Sequence, residues 1–554
     1  MAMREQIRQL ILQAIPEAKN INFDISYPDP KFGDYSTNAA LLLRQDAKAI
    51  VEQLDKSMFE SVSVAGPGFI NFRIKDELLV RGVKGVRGVK GGRILLEYFQ
   101  PNIAKPLHVG HLRTAIIGDC LKRMLLYLGH HVESDTHMGD WGTQFGYLIL
   151  AYKKFGEVND KLYAELNADE SQKEAAKQEF VKLEQGDKEN RKIWQNLVDQ
   201  SMKEFLKIND LMDILPFDHH WPESFYENKM PEIVERLKVK KLLKSSQGAQ
   251  IVDLEDVAVE GHPLGRAPLL EDAPPPRGLG VAIIIKSDGG TTYLLRDLAT
   301  FIFGKEQGFT QHLYVVDNRQ ALHYRQLFEI LKLMGVMGGK GVKGEHISYG
   351  FISFKGEALS TRKGNMVLAK DVIAQTEEKV AKIIEEKNSD LKEKPKVIKA
   401  VTKAALKYFD LKHNRHSDIE FDWDEVLDFE GDSGPYLQYA YARLSSILKK
   451  SQISNLKSQI NSKVQMSGTE RELLFKSSIL PEIVEDAVKN YLPNVLANYL
   501  YNLATLINKF YHESPVLAEV DEAKRNFRLA LVSRAKDTLG KGLDLLGIRA
   551  LEEM

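Results

Sequence analysis

The chain has 554 residues, which is too long for one hydrophobic core, so roughly three to five structural units are expected. Its composition, 43% hydrophobic and 28% charged, is ordinary for a globular protein. The net charge of -1 excludes attraction of nucleic acid by bulk positive charge but leaves room for a shaped RNA-binding face, and the single cysteine, Cys120, excludes an internal disulfide and a cysteine-rich zinc site.

Residues 1–80 are predicted to form a compact α+β unit. The opening helix is charged throughout, and no apolar run of the chain reaches about 20 residues, so we expect a cytoplasmic protein without a membrane partner. The segment 61–74 (SVSVAGPGFINFRI) alternates like an edge strand around a Gly-Pro-Gly turn. Residues 81–92 form a glycine, lysine and valine repeat, which predicts a flexible linker more than an RNA contact.

Residues 93–370 alternate short apolar strands with helices, which predicts a parallel α/β sheet. RILLEYF at 93–99 is the first predicted strand, and LRTAIIGDCLKRMLLYLG at 112–129 predicts an amphipathic helix that ends at Gly129. HLYVVDN and HISYGFISF predict later strands. Residues from about 150 to 245 are polar and helix-rich, which predicts an insertion, and the segment 261–280 predicts a proline-rich surface loop.

The remainder of the chain is predicted to be almost wholly helical. Residues 371–430 are interpreted as a helical connecting region and 431–554 as a helix bundle. Within the bundle, the polar near-repeat at 451–465 predicts a variable loop or helix extension.

A first cluster of chemical groups is KPLHVGH, from Lys105 to His111, where a predicted strand gives way to a helix. A helix N-terminus offers free N–H groups and a positive dipole, which suit phosphate, and Gly110 would let a nucleotide approach the backbone. His108 and His111 could both donate hydrogen bonds to phosphate oxygens. Taken alone, the cluster fits histidines that cap a helix equally well, whereas a metal site lacks an evident third ligand.

A second cluster, LSTRKGN at 359–365, follows an apolar strand about 250 residues later. Its small residues, two cations and glycine could form a mobile loop that clamps a polyphosphate. Taken alone it is a weak signal, because short basic loops usually lie on the solvated surface.

Together the two clusters resemble the HIGH and KMSKS signatures of class I aminoacyl-tRNA synthetases. The resemblance implies a Rossmann-like sheet that binds ATP and stabilises an in-line attack on the α-phosphate without a covalent enzyme intermediate. It implies that His108 and His111 stabilise the α-phosphate in the transition state and that Gly110 admits the adenosine. The implied partners of the departing pyrophosphate are Ser360, Arg362 and Lys363, and Lys363 is an ATP-binding residue. Magnesium is expected from ATP chemistry alone, and no zinc is expected.

The second cluster departs from the generic class I pattern. Thr361 stands where a catalytic lysine usually does. Arginyl enzymes of similar sequence carry a lysine just before the first signature instead, and Lys105 occupies that place. We therefore assign the compensating charge to Lys105 as a hypothesis.

Longer strings, in the same order along the chain, resemble arginyl-tRNA synthetases. They are EYFQPNIAKPLHVGHLR at 97–113, GDWGTQFG at 139–146, YLLRD at 293–297 and GDSGPYLQYAYARL at 431–444. FGDYSTNAA and GPGFINF resemble the appended N-terminal domain of that family. The resemblance covers the chain except the linker, the proline-rich loop and the polar insert. It implies an α/β multidomain protein in which the Rossmann-like parallel-sheet catalytic domain follows an N-terminal α+β domain and precedes a C-terminal all-helical anticodon-binding domain.

An arginine substrate would suit the chemistry of these residues. A guanidinium is planar and permanently charged, so a selective pocket needs carboxylates that accept a fork of N–H groups. The resemblance implies Glu97 and Asp297 as these acceptors and Tyr293 beside the substrate stem or a polar end. It places Asn102 and His108 at the α-amino and carboxylate region and Gln320 at the α-amino side. Taken singly, such an acid more often caps a helix or pairs with a charge on the surface. Only the whole set of matching strings, in the family's order along the chain, favours a substrate pocket.

Two further expectations concern the pocket. Gln100 stands where the family often has a small residue, so the resemblance does not extend to the contacts around it. A site built on charged hydrogen bonds rejects substrates that lack them, so a separate editing domain is not expected.

The resemblance also implies a tRNA partner. Tyr436 and Tyr439 are neighbours on one helix face, where such tyrosines are usually core, but in the family they face the anticodon loop. Met554 matches a terminal methionine that approaches the anticodon. The N-terminal domain would meet the tRNA elbow, with Phe32 and Asn38 as candidates. The family implies a monomer that needs bound tRNA(Arg) before it activates L-arginine.

Four alternatives remain at this point. A cysteinyl enzyme needs a zinc site that one cysteine cannot supply, and a glutamyl enzyme wants basic residues in the pocket. A nonenzymatic RNA-binding paralogue usually loses a signature element, and none is clearly lost here. A nucleotidylyltransferase of the same superfamily is short and lacks the C-terminal helical domain.

Overall fold

The computed structural model describes residues 3–81, 92–255, 278–339, 341–355, 367–451 and 464–554. Nearly all of the predicted linker and most of the proline-rich loop and of the polar insert lie outside these residues. Among the described helices, none combines the length and the apolar character that crossing a bilayer would require.

The N-terminal unit is an antiparallel sheet covered by helices. Its elements are α1 (Met3–Ala14), β1 (Ile25–Ser26), β2 (Tyr35–Thr37), α2 (Ala39–Leu43), α3 (Ala47–Gln53), β3 (Phe59–Ala65), β4 (Phe69–Ile74) and α4 (Asp76–Arg81). The strand order is β1-β2-β4-β3. The predicted Gly-Pro-Gly turn joins β3, at the edge of the sheet, to β4 inside it as a hairpin, and Gly66 and Gly68 in this turn have positive φ angles of 58° and 131°.

The predicted parallel sheet is confirmed in the central unit. Its strands are β5 (Arg93–Glu97), β6 (His131–Asp135), β10 (Phe309–Asp317) and β11 (Lys343–Tyr349), connected by α5 (Val109–Tyr127), α11 (Tyr293–Glu306) and α12 (Ala321–Leu333). The order is β11-β10-β5-β6, and every pair is parallel. The chain leaves the neighbouring strands β5 and β10 in opposite directions, and open α/β sheets bind ligands at the carboxyl ends of such a pair.

The helix α5 differs from its prediction at both ends and in its surroundings. It begins at Val109 rather than Leu112, because His108 caps it, and it ends at Tyr127. Residues 112–122 are all buried, so the predicted amphipathic face is absent. The reason is that α5 packs against the sheet on one side and against helices of the C-terminal part on the other.

Between β6 and α11 the described chain is mostly helical, with one small antiparallel sheet. The helices are α6 (Gln144–Phe155), α7 (Asp160–Ala168), α8 (Lys173–Glu184), α9 (Lys188–Leu211) and α10 (Met230–Val239), with a 3-10 turn at Glu223–Lys229. The sheet consists of β7 (Leu243–Ser246), β8 (Ala249–Asp253) and β9 (Val281–Ile285).

The C-terminal part is a helical assembly with two short strands. Its elements are β12 (Ile352–Phe354), α13 (Ala369–Lys387), α14 (Lys394–Lys412), β13 (Ile419–Phe421), α15 (Trp423–Val426), α16 (Gly434–Ser451), α17 (Gly468–Lys476), α18 (Leu480–Lys489), α19 (Pro493–Glu513) and α20 (Glu522–Leu545). β13 pairs in parallel with β12, which follows β11, so the helices are attached to the sheet unit by backbone hydrogen bonds.

Buried charges join the N-terminal unit to the helical part. Glu482, which is fully buried on α18, accepts hydrogen bonds from the backbone N–H of Arg4 and from the hydroxyls of Tyr27 and Tyr35. Arg471 on α17 holds Asp34 with two hydrogen bonds of 2.8 and 2.9 Å. We call these two groups the interdomain latch.

Replacing Arg471 by methionine is expected to weaken this docking by about 3–5 kcal/mol, because Asp34 would stay buried without its cation. Amide hydrogen exchange measures the effect: residues 3–81 should exchange faster in the variant than in the wild type, and the rest of the chain should be unchanged. Arg73→Met is the matched control, since its ion pair with Glu60 is largely exposed and should change little. Equal exchange in both variants would show that the latch does not hold the unit.

Candidate active site

The carboxyl ends of the central strands bring three polar side chains into one row. Tyr314 on β10 is the register neighbour of Glu97 on β5, and Glu97 is the register neighbour of Asp135 on β6. Neighbours in register point to the same face of a sheet. All three residues are at most 3% exposed. The strand pairing therefore places two buried acids side by side at this edge of the sheet, and we call these acids and the residues around them the acid pocket.

A third acid reaches the pocket from α11. The Oδ2 atom of Asp297 is hydrogen-bonded to Nε2 of His323, and its Oδ1 atom lies 3.7 Å from Nε2 of His137. Burial disfavours the charged form of His323, but the hydrogen bond and charge of Asp297 outweigh it and raise the pKa of His323. Burial lowers the pKa of His137, although Asp297 opposes that shift.

The acids of this pocket are short of hydrogen-bond donors. Among the described residues, Oε2 of Glu97 and Oδ2 of Asp135 have no partner. Burial, with the nearby charges of Asp135 and Asp297, raises the pKa of Glu97 well above its ordinary value. A buried carboxylate oxygen without a partner costs free energy, so the pocket is suited to a cationic ligand that donates N–H groups. Ligand atoms of Glu97, Asp135 and His137 lie within 4.8 Å of one another, a spacing that a divalent cation could also bridge.

Gln100, the residue that departs from the resemblance, contacts the pocket directly. Its side-chain N–H group donates to Oε1 of Glu97 at 2.9 Å. One of the two Glu97 oxygens is therefore already bonded within the protein, which leaves Oε2 for a ligand.

The other predicted arginine-binding residues lie around the pocket at the same end of the sheet. Tyr293 begins α11 and is 54% exposed, with the guanidinium of Arg296 over its ring at 5.5 Å. Asn102 is exposed in the loop after β5, and its Oδ1 atom lies so close to Gly139 that a Cβ there would be 2.2 Å away. Gln320 is exposed in the 3-10 turn that follows β10.

The string GDWGTQFG mainly organises packing beside the pocket. Asp140 accepts hydrogen bonds from the backbone N–H and the hydroxyl of Ser224, which ties the loop after β6 to the 3-10 turn. Trp141 is fully buried. A Cβ at Gly146 would lie 2.0 Å from the carbonyl oxygen of Ala176, so α6 and α8 approach closely at this glycine.

The first signature forms a reciprocal cap on α5. Nδ1 of His108 accepts from the backbone N–H of Gly110 at 3.0 Å, and Nδ1 of His111 accepts from the backbone N–H of His108 at 3.1 Å. A ring nitrogen that accepts carries no proton, so the proton of each neutral ring is on Nε2. Burial lowers the pKa of both rings, and that of His111 falls to about 3 with the help of His108.

The capping and phosphate interpretations of these histidines are therefore compatible. The Nδ1 atoms cap the helix, and each Nε2–H remains as a donor without a hydrogen-bond partner in the described part of the chain. The cap itself also requires a glycine at position 110, because a Cβ on Gly110 would lie 2.9 Å from Cε1 of His108 and would displace the ring.

Ser360, Arg362 and Lys363 of the second signature lie outside the described residues, but the segments on both sides of them contact α5. After the gap, Val367 accepts a hydrogen bond from the N–H of Val109 at 3.1 Å. Before the gap, the guanidinium of Arg113 donates to the carbonyl oxygens of Gly350 and Phe351 at 2.8 and 3.0 Å. Both flanks of the second signature are thus held against the helix that starts at the first.

Lys105 is exposed in the loop between β5 and α5. No hydrogen bond or ion pair joins its side chain to another described residue. The preceding residue, Ala104, has a left-handed φ of 58°, and Phe99 and His137 nearby have φ values of 58° and 35°. Strained backbone of this kind costs about 1–3 kcal/mol per residue and is concentrated at functional sites.

The predicted tRNA-binding residues line two cavities of the helical part. Tyr439 and Met554 line both cavities, which have volumes of about 830 and 580 Å³, and Tyr436 lines only the smaller one. The sequence interpretation missed Arg443 and Tyr511. The Arg443 guanidinium lies between the rings of Tyr439 and Tyr511, 4.8 and 4.7 Å from their centroids. The spacing of Tyr439 and Arg443, one helical turn apart, could have indicated Arg443.

The N-terminal candidates are in different surroundings. Phe32 is 47% exposed, with the ammonium of Lys31 over its ring at 4.9 Å. Asn38 is half-buried, and its Oδ1 atom accepts from the backbone N–H of Asp24. Phe32 is therefore the more exposed of the two candidates.

Family comparisons divide the chain into matching parts. The family described as arginyl tRNA synthetase N terminal domain matches residues 1–74. The family described as tRNA synthetases class I (R), catalytic domain, matches residues 74–423, and the DALR anticodon binding domain matches residues 437–554.

Whole-chain relatives agree with these matches. An arginine--tRNA ligase of Alkaliphilus metalliredigens (strain QYMF) is 35% identical over 562 residues, covering 95% of this chain and 94% of that protein. The arginine--tRNA ligase of Streptococcus pyogenes serotype M3 (strain ATCC BAA-595 / MGAS315) is 36% identical over 534 residues, covering 92% of this chain and 90% of that protein.

Solved structures are similar along the whole length. The arginyl-tRNA synthetase of Plasmodium falciparum superposes with a TM-score of 0.82 at 25% identity, covering 100% of this chain and 99% of its own. That of Thermus thermophilus gives a TM-score of 0.79 at 25% identity and covers both chains fully. With the acid pocket and the capped HVGH signature at the switch point of the sheet, these matches show that the chain belongs to the arginyl-tRNA synthetase family.

Proposed function

We propose that this chain activates L-arginine with ATP to arginyl-adenylate and transfers the arginyl group to tRNA(Arg). The observation that carries the proposal is the buried group of carboxylates with unbonded oxygens at the switch point of the sheet. In the first step the arginine carboxylate attacks the α-phosphate, an O–P bond forms, and pyrophosphate leaves. In the second step a ribose hydroxyl of the tRNA attacks the activated carbonyl carbon and AMP leaves.

In this proposal Glu97 and Asp297 accept the guanidinium N–H groups. His323, bonded to the other oxygen of Asp297, fixes the orientation of that carboxylate. Tyr293, at the entrance, covers the stem of the substrate. Asn102, His108 and Gln320 bind the α-amino and carboxylate groups, which keeps the reacting carboxylate close to the nucleotide.

The nucleotide residues act mainly through electrostatics. The Nε2–H groups of His108 and His111 donate to the α-phosphate as its charge shifts towards the leaving oxygen. Gly110 keeps the cap open to the adenosine. Lys105 supplies the positive charge of the missing signature lysine, and Ser360, Arg362 and Lys363 bind the pyrophosphate. Mg²⁺ would accompany ATP on the phosphate oxygens rather than occupy a protein cage.

The tRNA partner would contact the helical cavity. Tyr436, Tyr439 and Met554 would face the anticodon loop, since unstacked bases bind aromatic rings and guanidinium planes. The proposal further includes a monomer that works in the cytoplasm and an N-terminal unit that meets the tRNA elbow through Phe32, as the family resemblance implies.

Tyr439→Ala is expected to raise the KM for tRNA about 5- to 150-fold, because one stacked base contributes about 1–3 kcal/mol. The substitution also removes one face of the Tyr439–Arg443–Tyr511 stack. Aminoacylation measured against tRNA concentration gives the effect, and the KM for ATP should not change. Tyr439→Phe keeps the ring and should stay close to wild type. Equal tRNA KM values for the alanine variant and the wild type would remove Tyr439 from the interface.

One assay tests the proposed function itself. Bulk tRNA is incubated with ATP and each labelled amino acid in turn, and only arginine is expected to be incorporated. ATP–pyrophosphate exchange with arginine is expected to need tRNA, and full exchange without tRNA would contradict that part. Incorporation of no amino acid would favour a nonenzymatic RNA-binding relative.

A further inference from the structure

A third carboxylate, that of Asp135, lies beside the two predicted acceptors Glu97 and Asp297. Asp135 ends β6 and is fully buried. It is the register neighbour of Glu97, so both side chains leave the same face of the sheet at the same level.

Each of the three carboxylates uses one oxygen within the protein and leaves the other. Oε1 of Glu97 accepts from Gln100, and Oδ1 of Asp135 accepts from the backbone N–H of Trp221 at 2.9 Å. Oδ2 of Asp297 is taken by His323. Oε2 of Glu97 and Oδ2 of Asp135 have no hydrogen-bond partner among the described residues, and Oδ1 of Asp297 lies 3.7 Å from Nε2 of His137.

The pocket contains little positive charge to balance these acids. Arg296 is its permanent cation in the described part of the chain, and it lies 3.7 Å from Glu223 on the 3-10 turn. His137 and His323 are the other groups able to carry a positive charge.

The hydroxyl groups that face the acids are Tyr226 of the 3-10 turn, Tyr314 of β10 and Tyr324 of α12. Burial raises the pKa of each phenol well above its ordinary value, so none adds a charge near neutral pH.

We propose that Asp135 is a third guanidinium acceptor, which makes this pocket selective for a ligand with three N–H-bearing nitrogens in one plane. The proposal rests on the proposed function. With Glu97 and Asp297 alone, two free oxygens would have to satisfy the five N–H groups of a guanidinium. Asp135 supplies the third oxygen, so that each nitrogen can meet one acid. An ammonium is a compact charge that cannot span three separated acceptors, and a neutral urea group gains nothing from the negative charge.

Asp135→Asn is expected to raise the KM for L-arginine about 10- to 100-fold, because a hydrogen bond to a charged group contributes about 1.5–3 kcal/mol. The assay is tRNA-dependent ATP–pyrophosphate exchange, and the KM for ATP should stay within about twofold. Asparagine keeps an oxygen for the N–H of Trp221, which favours folding. The variant should also lose discrimination against L-citrulline and L-lysine, a change that a purely structural role would not produce.

Glu133→Gln is the matched control. Glu133 lies two residues earlier on the same face of β6, but its oxygens pair with Arg93 and His219. The KM of the Glu133→Gln variant for L-arginine is expected to equal that of the wild type. Equal KM values for Asp135→Asn and Glu133→Gln would overturn the proposal, whereas a wild-type protein without arginine-dependent exchange would overturn the proposed function instead.

A pH profile gives a second readout. Burial raises the pKa of Asp135 to about 7, so its side chain is neutral below that pH and negative above it. A cationic substrate binds the negative form better, so the KM for arginine should fall as the pH rises from about 6 to 8, and less so in Asp135→Asn. His323 loses its proton with rising pH in both proteins, so only the difference between the profiles counts. Identical profiles would contradict the proposal.

Two further outcomes are decisive. If Asp135→Asn does not fold, judged by circular dichroism, Asp135→Glu keeps the charge and moves the carboxylate by one methylene. An unchanged arginine KM in that variant would overturn the proposal. Stoichiometric metal in the purified wild type that is lost on replacing Asp135 would assign these oxygens to a cation and would overturn it as well.

Discussion

Asp297→Asn is expected to raise the KM for L-arginine about 30-fold or more. Removing one partner of a buried, hydrogen-bonded charge pair costs about 2–5 kcal/mol, and each 1.4 kcal/mol is a factor of ten. Asp297 also determines the surroundings of two histidines, because it is bonded to His323 and lies 3.7 Å from His137. The amide would leave His323 without its anion, so proton loss from that ring should occur at a lower pH. Exchange measured against arginine concentration gives the KM.

The control for Asp297 is Asp288→Asn. Asp288 lies in the turn before α11, where it accepts from the N–H of Gly290 and faces solvent. It carries the same charge change outside the pocket, and its arginine KM should match the wild type. If Asp297→Asn also matched the wild type, the guanidinium would have to bind elsewhere, and the acid pocket would lose its assigned role.

Lys105→Ala is expected to slow ATP–pyrophosphate exchange by about 10²- to 10³-fold, the usual cost of removing one charge that stabilises a transition state. The side chain is exposed, three residues before His108, and no described residue pairs with it, so it is available to a phosphate. The loss should appear in kcat, with the arginine KM little changed, since the charge acts on the leaving group.

Lys105→Arg is the companion variant because it keeps the charge with a different shape. It should recover a substantial part of the rate if charge is what matters. An exchange rate in Lys105→Ala equal to that of the wild type would show that the missing signature lysine is not replaced from this position.

The family and fold class could be predicted from local strings, because HVGH, GDWGTQFG and the helical C-terminal region are visible without knowing any long-range contact. Glu97 and Asp297 could be named by resemblance for the same reason. Asp135 could not. Its importance depends on β6 lying beside β5 in a register that pairs it with Glu97, and strand register is a tertiary property.

Other differences have the same physical origin. Gln100 could be seen as a departure, but its hydrogen bond to Glu97 depends on how the chain turns after β5. The prediction of an amphipathic α5 was wrong because helices from distant parts of the chain cover its outer face. Tyr511 was missed because it reaches Arg443 from another helix.

The interdomain latch has a consequence for the order in which the chain is made. Arg471 and Asp34 are 437 positions apart. At a translation rate of about 5–20 residues per second, Asp34 leaves the ribosome roughly 20–90 s before Arg471 does. During that interval Asp34 lacks its cation, and the hydroxyls of Tyr27 and Tyr35 lack their acceptor Glu482. The docking surface of the N-terminal unit therefore stays exposed to solvent until the helices that carry Arg471 and Glu482 have been made.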